Sequence, residues 1–436
     1  MSAGLGRRPR VAAVVTEYRP LSHADVLLTK LLDGYDLFWT RVEPGIEIAS
    51  LYTDQVPAND LSRAVAARHG VPIYPTIGEA LTLGGGALAV DGVLLIGEHG
   101  DYPLNERQQH LYPRRRFFEE TVAVFRASGR VVPVFSDKHL AHSWEDARWM
   151  ADTARQLGVP FMAGSSVPVA PRWPPLQVPL GAGVEEAVIL GHGPLESYGY
   201  HVLEGAQALV ERRDGFETGV AAVRCLDGAA FWDAWDRVNA PPESGGPAGG
   251  GPWSKALQDA ALALAPHPAE HPRDFYARRR AERPALADDR PGAGARSSRE
   301  RRPAGDGVAF LVEYRDGLRL SVLMLNGYVG KRSVALRLRG ESEPLATSLA
   351  EDGPRTGDVR ADFVHFSHLA DVLERFYLRG RPLYPVERTL LVSGVLDAAM
   401  ISRHEGGRRV ETPYLGVRYA PPGAHQGAAP PTDAAP

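Results

Sequence analysis

Short apolar runs alternate with amphipathic stretches through the first 165 residues. The clearest run, Gly92–Gly97, is apolar at every inner position and predicts a fully buried strand. Strands that alternate with helices imply right-handed βαβ crossovers and a parallel sheet of Rossmann type. The predicted strands are Val11–Val15, Glu47–Leu51, Val71–Tyr74, Gly92–Gly97, Val131–Phe135 and Pro160–Ala163. The predicted helices are Ala24–Leu32, Asp60–His69, Ile77–Leu81, Arg115–Ser128 and Trp144–Leu157.

The pattern changes after residue 165. Several strands now follow one another without a helix between them, which indicates an antiparallel sheet. The strands predicted here are Glu186–Gly191, Gly219–Leu226, Ala309–Tyr314, Leu318–Leu325 and Ser333–Leu338, and the helices are Tyr200–Glu211, Phe231–Val238, Phe366–Leu378 and Val386–His404. We therefore predict an α/β protein with a Rossmann-type domain over 1–165. A C-terminal α+β domain with an open, mostly antiparallel sheet is predicted over 166–420.

Three segments have compositions that do not suit a packed core. Residues 241–251 are rich in proline, glycine and serine and predict a flexible loop. Residues 282–306 hold almost no apolar side chain larger than alanine, so burial there cannot offset chain entropy. Residues 421–436 form a tail of the same kind. We expect disordered insertions at the first two segments and a disordered tail at the third.

Composition narrows the class of protein. The chain has 436 residues, 44% of them hydrophobic, and a net charge of −4, so no basic face for nucleic acid or a membrane surface is expected. Cys225 is the single cysteine, which excludes intrachain disulfides and a cysteine-based zinc site. The first apolar run, only five residues long, is too short for a signal peptide or a membrane span. These features predict a cytoplasmic protein.

Lys138 is the most informative single residue. Only four of the 49 lysine and arginine residues are lysines, and this one directly follows a predicted strand. The ligand crevice of an α/β sheet lies at the carboxyl ends of its strands. A lysine at that place can bind or protonate a substrate oxygen, whereas the alternative is an ordinary surface lysine.

Five segments, taken in order, resemble motifs of the glucose–fructose oxidoreductase/inositol dehydrogenase/MocA-type family, abbreviated Gfo/Idh/MocA. They are Ala64–Tyr74, Val90–Gly97, Phe135–Leu140 with the helix after it, Gly199–Glu204, and Phe366–Ser402. The chain is identified as a divergent member. The resemblance implies a Rossmann domain, a second domain with an open sheet, NAD or NADP as cofactor, and oxidation or reduction of a sugar-like or polyhydroxylated substrate.

The resemblance also implies roles for individual residues. Phe135–Leu140 is similar to the family's Glu-Lys-Pro motif, which assigns Lys138 to the reacting hydroxyl and Asp137 to its support. Gly199–Glu204 is similar to a Gly-x-His-x-Leu-Asp segment, which assigns His201 as general acid/base. A histidine suits that task because its ordinary pKa is about 6.5.

The cofactor site departs from the family pattern. The turn after the first strand, residues 16–23, has no glycine, although glycines let a pyrophosphate approach the helix N-terminus. Glu17 would repel a phosphate, and Arg19 could offset that charge. The candidate cofactor-binding residues are Thr16, Arg19, Ser22, Asp54, Glu98 and His99, with Asp54 placed to accept ribose hydroxyls.

A polar loop follows the predicted strand Gly92–Gly97. His99 and Asp101 in this loop would lie near Asp137 and His139, because the two strands are expected to be neighbours. Such a group could bind a divalent metal, but a hydrogen-bonded polar cluster is favoured because nothing sets the ligand geometry.

Three function classes remain open. The first is an NAD(P)-dependent oxidoreductase, favoured by the fold resemblance with Lys138 and His201. The second is a non-redox lyase, isomerase or hydrolase on the same scaffold, favoured by the glycine-free turn. The third is a non-catalytic dinucleotide or sugar sensor. In each case the ligand is a small molecule. We also expect a homo-oligomer, because alternate apolar side chains of Leu318–Leu325 would need a partner on an uncovered sheet face.

Overall fold

The computed structural model describes residues 7–38, 40–241, 251–281, 307–349 and 356–424. The predicted insertion at 282–306, the interior of the 241–251 loop and the tail beyond residue 424 lie outside these ranges. The strands are β1 Arg10–Val15, β2 Tyr35–Leu37, β3 Thr40–Val42, β4 Glu47–Thr53, β5 Gly92–Ile96, β6 Val134–Asp137, β7 Phe161–Gly164, β8 Arg172–Trp173, β9 Val184–Gly191, β10 Val220–Leu226, β11 Val308–Tyr314, β12 Arg319–Met324, β13 Arg332–Leu338, β14 Leu345–Leu349 and β15 Val410–Glu411. The helices are α1 Thr29–Asp33, α2 Ser62–His69, α3 Ile77–Thr82, α4 Arg114–Ser128, α5 Trp144–Leu157, α6 Leu195–Val210, α7 Gly228–Asn239, α8 Lys255–Leu262, α9 Pro272–Ala281, α10 Val364–Arg379 and α11 Val386–His404. A π-helical segment, Ala24–Leu28, follows the turn after β1 and runs directly into α1, and a short 3-10 helix lies at Val167–Val169.

The first sheet has five strands in the order β4-β1-β5-β6-β7, all parallel, which confirms the Rossmann-type prediction. Two predicted strands differ. Val71–Tyr74 makes only an isolated bridge through Ile73, because Pro72 has no N–H to donate. The strand predicted at Val131–Phe135 begins later, at Val134, after Pro133. The carboxyl ends of β1, β5, β6 and β7 share one edge of the sheet.

The second sheet has eight strands in the order β15-β10-β11-β12-β9-β13-β14-β8. The β12–β9 pair is parallel and every other pair is antiparallel. The prediction of a mostly antiparallel second sheet is therefore confirmed. One face packs against α6 and α11, where Leu320 and Val322 enter the largest hydrophobic core.

The other face of this sheet is also covered, which corrects the expectation of an uncovered face at Leu318–Leu325. Phe231 of α7, Leu257 of α8 and Phe275 of α9 belong to one buried apolar cluster with Leu323 and Val188 of the sheet. The sequence pattern missed α8 and α9, since α9 is rich in arginine and its apolar side is only two aromatic residues wide. An uncovered apolar face was the reason to expect a subunit interface here, and that reason is removed. The homo-oligomer itself stays a prediction.

The chain returns to the first sheet near its end. Helix α10 packs Phe366, Leu373 and Phe376 onto Val11 and Val15 of β1. The domain boundaries at 165 and 166 remain a prediction, and α10 completes the core of the N-terminal sheet. No helix in the described ranges is long and apolar enough to cross a lipid bilayer.

Phe231→Ala tests the cover on the second sheet. Phe231 is fully buried, so its truncation leaves a cavity and should lower the free energy of unfolding by about 3–5 kcal/mol. The control Val56→Ala removes an exposed side chain and should change it by less than about 0.5 kcal/mol. Urea unfolding of both variants gives the comparison, and equal effects would contradict the packing described.

Candidate functional site

Polar side chains gather where the carboxyl edge of the first sheet meets α6 and α10. The turn after β1, the ends of β5, β6 and β7, and the two helices each contribute to this group. Its members are His23, Glu98, His99, Asp137, Lys138, Ser165, Tyr198, His201, Arg332 and His365. The structure therefore brings together the three residues assigned as catalytic, Lys138, His201 and Asp137.

Lys138 is not a surface lysine. Its side chain is 2% exposed, and Nζ lies 3.3 Å from Glu98 Oε1. The ammonium donates to the carbonyl of Ser197 at 3.4 Å and lies 5.9 Å from the centre of the Tyr198 ring. Its backbone is left-handed, with φ at +74°, which costs about 1–2 kcal/mol for a residue with a Cβ. Such strain persists where surrounding structure over-determines it, and it is often found at functional sites.

Glu98 holds this ammonium rather than facing an open cofactor cleft. Its Oε2 accepts from Arg114 of α4 at 2.5 Å while Oε1 faces Lys138. Burial alone would raise the pKa of Glu98, but the Lys138 and Arg114 cations hold it well below its usual range. Glu98 is therefore a carboxylate that pairs with the Lys138 side chain and holds it in one place.

His201 faces the site from α6. Its Nδ1 lies 2.5 Å from Ser165 Oγ, and that oxygen accepts the N–H of Val167 at 3.0 Å. Burial, together with the cations Lys138 and Arg332, holds the pKa of His201 well below its usual range. The imidazole is thus neutral, so any proton exchange at His201 starts from the neutral ring.

Helix α6 is fixed against β7 by a buried carboxylate one turn beyond His201. Glu204 Oε2 accepts the N–H of Ser165, and its Oε1 accepts the hydroxyl of Thr389 on α11. Gly164 allows this approach, since a Cβ there would lie 2.5 Å from Glu204 Oε1. Burial raises the pKa of Glu204 to about 7. These contacts set the distance between His201 and the end of the sheet.

Asp137 binds a residue that the sequence reasoning missed. Its Oδ2 accepts from His23 Nδ1 at 2.6 Å, so it supports a histidine of the turn rather than contacting Lys138. The ring of His23 lies 5.2 Å from that of His99 and 6.2 Å from that of His201. No local pattern marked His23, because its partner is distant along the chain.

The predicted cofactor residues divide into two groups. His99 and Arg19 lie at the site, with Arg19 3.5 Å from His99 Nδ1. Thr16 instead donates to the carbonyl of Glu98 at 2.6 Å, which ties β1 to β5. Asp54 lies apart, and its oxygens accept from Tyr52 and Tyr102 at 2.6 Å and pair with Arg116. The Asp54 carboxylate is therefore already engaged where the prediction places ribose hydroxyls.

Side chains of the turn after β1 accept several of its backbone N–H groups. Ser22 Oγ accepts from the N–H groups of Arg19 and Asp25 at 3.3 Å. The Asp25 carboxylate accepts the N–H of Leu21 at 2.8 Å, so the two side chains bond the backbone on either side of the turn. An anion at a helix N-terminus needs such N–H groups free. As it stands, the turn does not fit a pyrophosphate in the manner of a glycine-rich turn.

The four side chains considered for a possible metal site, those of His99, Asp101, Asp137 and His139, are not gathered into one group. Asp137 is bonded to His23, and Asp101 is exposed. His139 accepts from Arg114 at 2.8 Å, and its Nε2 lies 2.9 Å from Glu196 Oε1. Over the described part of the chain, no group of three or more His, Cys, Asp and Glu side chains is placed to hold a metal ion. Consecutive residues after β6 point to different partners, which is why the predicted grouping fails.

Comparison with known proteins gives the fold. No protein-family model matches the sequence, and no curated protein sequence matches it. GenD2 from gentamicin A biosynthesis, solved in complex with NAD, is 15% identical, with 94% of this chain and 98% of that chain covered and a TM-score of 0.52. An oxidoreductase from Agrobacterium radiobacter, in complex with NAD+, L-tartaric acid and magnesium, is 12% identical, covers 93% and 98%, and has a TM-score of 0.51.

Aldose-aldose oxidoreductase from Caulobacter crescentus, complexed with glycerol, is 15% identical, with 93% of this chain and 100% of that chain covered and a TM-score of 0.50. At these identities the likeness shows the fold and nothing finer. The two-sheet fold expected from the resemblance to the Gfo/Idh/MocA family is thereby confirmed along nearly the whole chain.

Glycine and alanine at position 138 test the backbone strain. Because φ is +74°, Lys138→Gly should be more stable than Lys138→Ala by about 1–2 kcal/mol, although both lose the ammonium. At Arg148, inside α5, the order should reverse, with glycine less stable by about 1 kcal/mol. Urea unfolding measures all four variants, and the same order at both positions would contradict the left-handed assignment.

The buried neutral histidines predict acid sensitivity. Burial lowers the pKa of His139 as well as that of His201, so the unfolded chain takes up protons that the folded one does not. The contribution of each of these histidines to the free energy of unfolding is then fully present above about pH 6.5. It falls as the pH drops, by up to about 1.4 kcal/mol per pH unit for each histidine.

Urea unfolding measured from about pH 7.5 to about pH 5.5, on both sides of the ordinary pKa of histidine, should show this slope. His201→Gln should reduce it, and His404→Gln, at an exposed position, should keep it. An undiminished slope in His201→Gln would rule out His201 as a source.

Proposed function

We propose that this protein is a Gfo/Idh/MocA-like oxidoreductase that acts with NAD or NADP on a sugar-like or polyhydroxylated substrate. The observation that carries the proposal is the Lys138 ammonium, buried at the carboxyl end of β6 with His201 of α6 in the same polar group. Solved proteins of the same fold include complexes with NAD, with NAD+ and L-tartaric acid, and with glycerol.

The chemistry of this group suits an alcohol that loses a proton. An ammonium held by Glu98 can donate to a hydroxyl oxygen and stabilise the negative charge that grows on it. The stabilisation is strong because Lys138 and Glu98 are both nearly inaccessible to water. His201 adds a neutral imidazole that can accept or donate a hydrogen bond to a second hydroxyl.

A bound nicotinamide would supply the hydride acceptor or donor. Arg19 and His99 are the predicted cofactor residues that lie at the site, and Arg19 is 29% exposed beside its partner Glu17. Thr16, Ser22 and Asp54 remain predicted cofactor residues, although each already has partners within the chain.

A second candidate function is a non-redox lyase, isomerase or hydrolase that uses Lys138 and His201. The turn after β1 favours it, because Ser22 and Asp25 already accept the N–H groups of Arg19, Leu21 and Asp25, which leaves fewer for a pyrophosphate. The two candidates share the proton-handling residues and differ in the need for a nicotinamide.

Cofactor binding separates the two candidates. Titration of the purified protein with NADH and NADPH, followed by fluorescence and calorimetry, should show binding. Arg19→Ala should weaken it roughly tenfold to hundredfold, the cost of one charge-assisted contact. Lys138→Ala should bind the nucleotide normally and lose about 10²–10³ in turnover of polyols. Lys255→Ala removes an exposed lysine and should change neither.

Wild-type protein without affinity at about millimolar nucleotide would remove the redox proposal in favour of the non-redox one. Unaltered turnover in Lys138→Ala would remove the assigned role of Lys138 in both.

A further inference from the structure

We propose that His23 and Asp137 form an acid–base pair that exchanges the proton of the reacting hydroxyl. The turn after β1 would then supply a catalytic side chain. The inference deepens the proposed function by adding a residue to its site, and it holds for either candidate reaction that moves a hydroxyl proton.

The geometry of the pair defines where the proton can go. His23 Nδ1 lies 2.6 Å from Asp137 Oδ2, and the two side chains are 12% and 1% exposed. A carboxylate only accepts hydrogen bonds, so Nδ1 carries the hydrogen and Nε2 carries the lone pair. Within the described part of the chain, no hydrogen bond engages Nε2 of His23. A base whose other nitrogen is held by a buried carboxylate is the arrangement of general acid–base catalysis.

The surroundings place this base in the site. The ring of His23 packs edge-on against Phe366 of α10, with centroids 5.0 Å apart, and stacks on His201 at 6.2 Å. Asp137 and Lys138 are consecutive residues at the end of β6. The carboxylate partner of the base and the ammonium therefore come from the same strand end, whereas the base itself comes from the turn after β1.

The turn is built to hold His23. Ser22 Oγ accepts the N–H of Asp25, and the Asp25 carboxylate accepts the N–H of Leu21, so these bonds lie on both sides of His23. Leu21 is left-handed, with φ at +63°. Tyr18 is fully buried, and its hydroxyl shares a hydrogen bond of 2.6 Å with the hydroxyl of Thr29, which fixes the start of the turn on α1. A rigid turn of this kind suits the support of a side chain better than close approach to a phosphate.

The three groups then have distinct tasks. In the direction that removes the proton, the O–H bond breaks, its electron pair stays on oxygen, and the proton passes to Nε2 of His23. The imidazolium that results is stabilised by the Asp137 carboxylate, and the oxygen by the Lys138 ammonium. The reverse direction returns the proton from Nε2. His201, bonded to Ser165, is left to orient the substrate.

The tautomer of His23 tests the pair without any substrate. In protein labelled with ¹⁵N-histidine, the His23 resonances, assigned through His23→Gln, should show a protonated Nδ1 and a bare Nε2. Asp137→Asn keeps the shape of the side chain but can donate to Nδ1, and it should shift the ring to the Nε2–H form. A wild-type ring with the hydrogen on Nε2, or one unchanged in Asp137→Asn, would overturn the proposal.

Turnover, in whichever assay supports the proposed function, tests the catalytic role. His23→Gln and Asp137→Asn should each lose about 10²–10⁴ in rate, and the double variant should lose little more than either alone. The matched control is His69→Gln, which breaks an Asp–His contact of 2.7 Å with Asp33 outside the site and should keep the wild-type rate.

Full activity in His23→Gln with the predicted tautomer would mean that the pair is structural, which overturns the proposal. Because the tautomer is read in the free protein, a failure to bind nicotinamide removes only the redox function. Circular dichroism tests whether each variant is folded. If His23→Gln is not folded, the results for Asp137→Asn decide for or against the pair.

Discussion

A single buried carboxylate, Glu98, connects the elements that form the site. It faces Lys138 of β6 and Arg114 of α4 at the same time, and Arg114 continues to His139, whose ring contacts Glu196 of α6. A buried charge costs several kcal/mol unless it is paired, so the Glu98 carboxylate and its two cationic partners require one another. The contacts continue through the ring of His139 and tie the first sheet to α6, and the position of Lys138 depends on them.

The turn after β1 shows how one position in a fold can take a different task. In a dinucleotide-binding fold this turn holds a pyrophosphate through free N–H groups at a helix N-terminus. Here Ser22 and Asp25 accept several of the N–H groups of the turn. The same turn carries His23, which is bonded to Asp137. The fold is retained while the local chemistry of the turn has changed.

The sequence allowed the fold and part of the site to be predicted, for identifiable reasons. Buried strands and helix caps are local patterns, so the order of β1, β5 and β6 followed from the chain alone. Lys138 and His201 could be assigned because the resemblance covers their motifs. His23 could not, because its partner Asp137 is 114 residues away and no short pattern encodes that contact. The side chains of Asp137 and His139 do not lie together because the left-handed backbone at Lys138, between them, turns them in different directions. Backbone handedness cannot be read from a sequence.

The return of α10 to the first sheet has a consequence for how the protein folds during synthesis. Tyr377 donates to the carbonyl of Val93 in the centre of that sheet, and the Lys30 ammonium is bonded to the carbonyls of Val359, Arg360 and Asp362. The Lys30 contacts join residues more than three hundred positions apart along the chain. The emerging N-terminal half therefore exposes an apolar sheet face until most of the chain has left the ribosome. Long-range closure of this kind slows folding and favours aggregation of chains that lack α10.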